Sequence, residues 1–219
     1  MENIIEVTEQ FVKQSFRGES TGHDWFHMER VRKNAIYIWK QEQKGDRFII
    51  EMAALLHDIS DEKLNESKEA GQQKLSSFLN QLPLESHTKR HIMEIIDSIS
   101  YKGGNKSLLS SIEAQIVQDA DRLDAIGAIG ISRAFAYGGK KGQPIYDPTI
   151  AVRDKMTMEE YRMEKSSTVH HFYEKLFKLK NLLHTTTAKE IAERRDAFMK
   201  LFLEEFYKDW NGIYENNFD

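Results

Sequence analysis

The chain has 219 residues, 40% hydrophobic and 30% charged, with a formal net charge of -4, so it is long enough for one well-filled core and we expect a single domain over residues 1–219. The acidic balance leaves no strong basic footprint for gripping nucleic acid through its phosphates, which argues against a polynucleotide substrate. With no cysteine there are no disulfides and no zinc-thiolate site, so any metal must be held by histidine nitrogens and carboxylate oxygens.

Along the chain, Met1-Glu-Asn-Ile-Ile-Glu-Val7 carries acidic residues where a signal peptide carries basic ones. No apolar stretch approaches the length of a membrane span, so a cytoplasmic protein without membrane contact is expected. The segment Gly22-His-Asp-Trp-Phe-His27 holds two histidines four apart, His23 and His27, on one face if the helix begins that early. Phe48, Ile49, Met52, Ala53, Leu56 and Ile59 then recur at helical spacing, and within that run stand His57 and Asp58. A nitrogen ligand beside an anionic oxygen ligand at the edge of a core is costly, because a buried carboxylate without a partner costs several kcal/mol. A divalent cation is one remedy; a histidine and an aspartate that cap a helix C-terminus are the other reading. Asp61 stands three positions beyond Asp58, close to one helical turn away.

A second buried helix face comprises His91, Ile92, Ile95, Ile96 and Ile99. His87 and His91 share it and could hold a second ion, or face solvent beside Lys89 and Arg90. Lys102 follows Ile99-Ser-Tyr101 and precedes two glycines, a turn that can bring backbone amides as well as an ammonium to a phosphate. Ser110-Ser-Ile-Glu113 and Thr187-Ala-Lys-Glu190 are capping-box patterns that place two helix starts. In the first of these helices three aspartates compete: with Ile116, Val117, Ala120 and Leu123 as core face, Asp124 falls inside it, Asp121 at its margin and Asp119 roughly opposite Asp121. Gly138 to Pro148 reads as a loop, basic at Lys140-Lys141, either a lid over an anionic substrate or a solvated connection. Trp25, Phe26, Tyr101, Tyr137 and Tyr146 can stack on a base or simply pack. The long stretch Ile191 to Trp210 ends in Phe198, Phe202, Phe206, Tyr207 and Trp210, which suit the chain's own core or a second copy in a homodimer.

Taken in order, His27, the doublet His57-Asp58 and Asp121 within Ala120-Asp-Arg-Leu123 resemble the signature of the HD-domain superfamily of metal-dependent phosphohydrolases. The likeness continues through Ile99-Ser-Tyr-Lys-Gly103, Tyr137-Gly-Gly-Lys140 and Ser166-Ser-Thr-Val-His-His-Phe-Tyr-Glu-Lys175, covering nearly the whole chain from Gly22, and is similar to small stand-alone bacterial HD hydrolases. It implies an all-α fold, an HD-domain helical bundle with the metal-site core over about residues 22–127 and additional C-terminal helices over about 150–212. It implies His27, His57, Asp58 and Asp121 as metal ligands, with Asp124 supporting or substituting. Asp61 takes the acid or base role, where relatives more usually carry glutamate. His23, Lys102, Arg133, His171 and Lys175 are implied as contacts for substrate phosphates. The ligand set suits a divalent ion, Mn2+ first, with Mg2+, Fe2+, Co2+, Ni2+ and Zn2+ compatible. The activity implied is hydrolysis of a nucleotide or another small phosphate ester, in particular of (d)NTPs to the monophosphate and pyrophosphate. A nucleotidase, another phosphomonoesterase, a phosphodiesterase and a non-catalytic nucleotide-binding module stay open beside it.

Overall fold

A computed structural model of the chain describes residues 2–18, 24–61, 65–99, 109–153 and 166–213, and among these every regular element is helical. In chain order they are α1 (Glu2–Ser15), α2 (Trp25–Glu42), α3 (Arg47–Leu56), α4 (Lys68–Gln81), α5 (Ser86–Ile99), α6 (Ile112–Asp124) and α7 (Gly127–Lys140). A further helical stretch, α8, begins as Thr168–His171, widens into a π-helical segment at Phe172–Leu176, resumes over Phe177–Leu179 and tightens to a 3-10 turn at Lys180–Leu182. It is followed by the long α9 (Thr186–Asn211). None of the described helices is long and apolar enough to cross a membrane.

The bundle is organised around α3. Every residue from Ile50 to Leu56 is buried, as expected of a helix enclosed on all sides. Ile50, Ala53 and Ala54 face a core shared with α2, α5, α6, α8 and α9, while Met52, Leu55, Leu56 and Ile59 face a second core built with α1, α4 and α5. Asp46 caps the start of α3 by accepting from the Phe48 and Ile49 amides. A helix so enclosed delivers the two residues that follow it, His57 and Asp58, to the middle of the molecule rather than to its surface. The larger core runs from Val31 to Leu203, so the C-terminal helices share it with the helices that carry the doublet and Asp121.

Two helix starts differ from the capping-box reading. Ser111, not Ser110, caps α6 by accepting from the Ala114 amide, and Thr185, two residues before Thr187, caps α9 by accepting from Ala188. Glu42 explains the second shift, because its carboxylate takes both the amide and the hydroxyl of Thr187 and holds them inside the first turn. The region read as a loop from Gly138 also begins later, since α7 continues to Lys140. Gly138 lies within the helix at a point where a Cβ would come 2.2 Å from Thr168 Oγ1, so a glycine lets α7 and α8 approach. The connection beyond it is packed against the C-terminal helices. The Thr168 and Val169 amides donate to the carbonyls of Pro144 and Ile145, at 3.0 Å each. Tyr146 is edge-on to His170, Phe206, Tyr207 and Trp210. Phe206 and Tyr207 are thus used in packing this chain on itself, while Phe198 and Trp210 each stay 48% exposed.

Candidate metal centre

The site is assembled from α2, the turn after α3, and α6. Asp24 caps α2, its Oδ1 accepting from the His27 amide at 2.8 Å, which fixes His27 in the first turn with its ring turned inward and fully buried. His57 follows Leu56 directly, and its Nδ1 lies 2.9 Å from the Ala54 carbonyl. That carbonyl can only accept, so Nδ1 carries the proton and the Nε2 lone pair is left facing the site. His57 Nε2 is buried with no hydrogen-bond partner, which is expensive for a nitrogen unless something is coordinated there.

Around these two nitrogens stand two carboxylates. His27 Nε2 is 3.6 Å from Asp58 Oδ2 and 3.5 Å from Asp121 Oδ1; His57 Nε2 is 3.5 Å from Asp58 Oδ1 and 3.8 Å from Asp121 Oδ1. Such spacings leave room at the centre for a cation with bonds of about 2.0–2.2 Å. Among the described residues, His27, His57 and Asp121 form the cluster with donor atoms close enough to hold a metal, all within 4.8 Å of one another, and Asp58 adjoins both histidines. The cage is closed on one side and open on the other: the Asp58 and Asp121 side chains are 14% and 41% exposed, those of His27 and His57 0% and 3%. The open side of the cluster is therefore the Asp121 side.

The two aspartates that flank Asp121 have different work. Asp119 is buried and accepts from the His184 and Thr185 amides and the Thr185 hydroxyl, tying α6 to the start of α9. Asp124 lies across the imidazole from the cage, its Oδ2 2.7 Å from His27 Nδ1. It also takes Arg30 Nε at 2.7 Å and Arg133 Nη1 at 2.7 Å. Although burial opposes it, these partners hold the Asp124 carboxyl well below the usual carboxylate range. An anion so fixed orients the His27 ring and strengthens Nε2 as a donor. Periodicity favours Asp124 because it is buried; in the structure that burial goes with its contacts to His27 Nδ1, Arg30 and Arg133, on the far side of the imidazole from the cage.

His27 itself is pushed up to about 9, burial working against the shift and hydrogen bonds to Asp124 and Asp58 overcoming it. Without an ion the cage thus takes its positive charge from a proton, and a divalent cation must expel it. Metal uptake is accordingly expected to release about one proton at pH 7–8, and apparent affinity to climb with pH until about 9. Calorimetry in buffers of different ionisation enthalpy measures this directly, and uptake without proton release would contradict it. The raised value has a companion effect on folding. Metal-free protein keeps this histidine's stabilisation below the unfolded value of 6.5 and loses it as pH rises through about 9, so its Tm should fall over that interval.

The turn after α3 is braced from outside. Asn65 Nδ2 donates to the carbonyls of Ile59 and Asp61, the Asp61 amide donates to the Asp58 carbonyl, and Gly71 lies against Ser60, where a Cβ would meet backbone atoms at 2.9 Å. Sequence reasoning passed over Asn65, Gly71 and Arg30. Only Arg30 left a trace, standing three residues after His27 on the same helical face. Gly71→Ala should move this turn and weaken metal binding by roughly 10–100-fold, in the range seen when groups supporting ligands are lost. Titration of the folded variant with metal checks it.

Asp61 sits half-buried immediately beyond this brace. Arg133 is brought to the site, but as a partner of Asp124. His171 is burdened by burial and then by the neighbouring Lys175 ammonium, which together push its imidazole down to about 3. It is therefore a neutral hydrogen-bonding group rather than the positive charge expected for a phosphate contact. Lys175, one turn on in the π-helical segment, carries that charge. His23, Tyr101 and Lys102 lie outside the described residues. His87 faces Glu85 at 3.1 Å, and His91 pairs with Glu113 at 3.6 Å and Glu94 at 3.8 Å. Of the aromatics considered for stacking, Tyr146 is packed, Trp25 lies under Lys13, and Phe26 and Tyr137 are exposed.

Comparison with known proteins agrees with this geometry. Residues 25–126 match the HD domain family model. A Lactobacillus plantarum protein of known structure is 39% identical, with a TM-score of 0.85 over 97% of this chain and 99% of its own. An HD-superfamily hydrolase from Bacillus thuringiensis is 48% identical, with a TM-score of 0.76 over 96% of this chain and 98% of its own. Bacillus subtilis YpgQ, solved in complex with ADP, is 35% identical with a TM-score of 0.75, covering 96% of this chain and 100% of its own. With its two histidines and two carboxylates converging from three parts of an all-helical bundle, the chain belongs to the HD-domain superfamily of metal-dependent hydrolases.

Proposed function

We propose that the protein hydrolyses nucleoside or deoxynucleoside triphosphates to the monophosphate and pyrophosphate, with Mn2+ as its preferred ion. The observation that carries a hydrolytic reading is the cage itself: two oriented imidazole nitrogens and two carboxylates, open past Asp121. Nucleotide as substrate class is supported by the ADP bound to YpgQ, and a small substrate by the net charge of -4. Ligands of mixed nitrogen and oxygen character, without thiolate, favour manganese, iron, cobalt or nickel alongside magnesium.

His27, His57, Asp58 and Asp121 would hold the ion. When bound, it supplies Lewis acidity, drawing charge from phosphoryl oxygens and making a water a nucleophile near neutral pH. The chain's own residues do the rest. Asp124 keeps His27 aligned, and Arg30 and Arg133 keep Asp124 charged. Asp61 takes the proton from the attacking water, or returns one to the leaving oxygen, from the turn next to Asp58. Lys175 and the remaining guanidinium donors of Arg133 receive phosphate oxygens, with Lys102 and His23 completing the set. Asp61→Asn should lower kcat about 10²–10⁴-fold, the usual worth of a positioned acid or base, while metal affinity stays within a few-fold.

The deciding experiment follows pyrophosphate and orthophosphate release from (d)NTPs, monophosphates and a phosphodiester by protein stripped of metal and reloaded with Mn2+. Pyrophosphate from triphosphates supports the proposal. Orthophosphate from monophosphates, or cleavage of the diester alone, would replace it.

A further inference from the structure

A second cleft opens on the far side of Asp124 from the cage. It is about 560 Å³ in volume and is lined by Arg30 and Lys33 of α2, by Asp124 and the start of α7, and by Arg194, Arg195 and Phe198 of α9. The imidazole of His27 and the Asp124 carboxylate separate it from the metal ligands: Nε2 faces the cage, Nδ1 faces Asp124, and Asp124 in turn is gripped by Arg30. Neither Asp58 nor Asp121 lines it.

Its charge is out of balance. Asp124 is already compensated by Arg30 and Arg133. Lys33 has Glu29 at 3.1 Å. Arg195 is partly buried and spends one nitrogen on the Leu123 carbonyl, with no ion pair among the described residues; burial and then the neighbouring Arg194 guanidinium lower its pKa against the pull of Asp124. Arg194 is exposed and likewise has no ion pair among the described residues. Two guanidiniums converging in a cleft without a matching carboxylate favour an anion from outside, and guanidinium is the group best shaped to take phosphate oxygens in pairs. Apolar surface lies beside them: Phe198, one turn beyond Arg194 on α9, is 48% exposed, and Ile129 on α7 is 43% exposed. Such side chains offer a face for a flat ring, and the volume falls within the roughly 300–1,000 Å³ usual for small-molecule pockets.

We propose that this cleft is a second binding site, distinct from the hydrolytic centre, for a phosphate-bearing ligand with a flat ring, that is, a nucleotide. Its phosphates lie on Arg194 and Arg195 with Lys33 at the rim, and its ring lies on Phe198 and Ile129. A ligand there meets Arg30 directly and so touches the chain of contacts that aligns His27.

The test disables the first site and asks whether the second still binds. ADP is titrated calorimetrically into full-length Asp58→Ala protein in a metal chelator, and into the same protein carrying Arg194→Glu, an exposed change that leaves the core intact. We expect one ADP per chain in the first case, and affinity lowered about tenfold or more in the second, as for loss of one charge-assisted contact. Phe198→Ala should weaken ADP and leave inorganic pyrophosphate unaffected, because only the ring contact is lost. No binding at millimolar ADP, or binding indifferent to Arg194→Glu, would overturn the proposal. Both readouts are made without turnover, so they stand or fall separately from the proposed pyrophosphohydrolase activity.

Discussion

Asp58→Ala is expected to abolish turnover, lowering kcat/KM by at least about 10³-fold, while the protein stays folded. The magnitude follows from what Asp58 touches. One of its oxygens is 3.6 Å from His27 Nε2 and the other 3.5 Å from His57 Nε2, so like Asp121 it reaches both nitrogens, but with a separate oxygen for each. Without it the cage loses one of two carboxylates that oppose an ion's charge, and charge stabilisation of several kcal/mol at the phosphoryl group goes with the ion; about 4 kcal/mol is a thousandfold in rate. The fold should survive because Asp58 lies beyond the end of α3, outside the helix that organises both cores. Its backbone carbonyl, which accepts the Asp61 amide, is unchanged by the substitution. The measurement is steady-state hydrolysis beside thermal unfolding with and without Mn2+. Wild type should gain Tm on adding metal, since a ligand that binds only the folded state stabilises it by mass action, and the variant should not. A variant that unfolds at room temperature, or one that keeps its metal-dependent Tm shift, would show that Asp58 has a different role.

How far the sequence could reach depended on what kind of fact was sought. The central helix was legible because Phe48 to Leu56 is apolar on nearly every side, and the doublet at its end was legible because a carboxylate beside that run needs a partner. The ligand on α6 was harder. Three aspartates within six residues are equivalent to composition, and burial points to Asp124; it is the partnership of Asp124 with His27 Nδ1, Arg30 and Arg133 that explains why burial misleads there. The resemblance to HD hydrolases was needed to favour Asp121. Arg133 and His171 illustrate a second limit: residue type announces a positive charge, but only packing reveals that one is spent on Asp124 and that the other is kept neutral by burial. The start of the loop after α7 shows a third limit. Its glycines suggest a free turn, whereas Gly138 is still helical and lets Thr168 approach, and Tyr146 further along packs on aromatic residues some sixty positions on.

Replacing Asp124 separates support of the ligand from stability of the fold. Asp124→Asn keeps the shape of the side chain but removes the charge that two guanidiniums and the His27 imidazole share. Two costs follow. The amide no longer holds His27 in the tautomer with Nε2 bare, since its nitrogen can donate to Nδ1 and leave the proton on Nε2; metal affinity should then fall by about 10–100-fold. The second cost falls on folding. Arg30 and Arg133 side chains are 30% and 18% exposed, so stranding them is less severe than the 3–5 kcal/mol typical of breaking a fully buried pair, and a loss of about 1–3 kcal/mol is expected. The sign with pH follows from the depressed carboxyl of Asp124. Its contribution is present in full above the unfolded value near 3.8 and fades only as pH falls through the lower folded one, so wild type and variant should differ most at neutral pH and converge in strong acid. Chemical denaturation of the metal-free proteins at several pH values reads the second cost, and Mn2+ titration reads the first. Equal stabilities at pH 7 would mean that solvent screens the Arg30 and Arg133 contacts. Unchanged metal affinity would mean that His27 is aligned by its burial in α2 alone, and that the anion behind it does not tune the donor facing the cage.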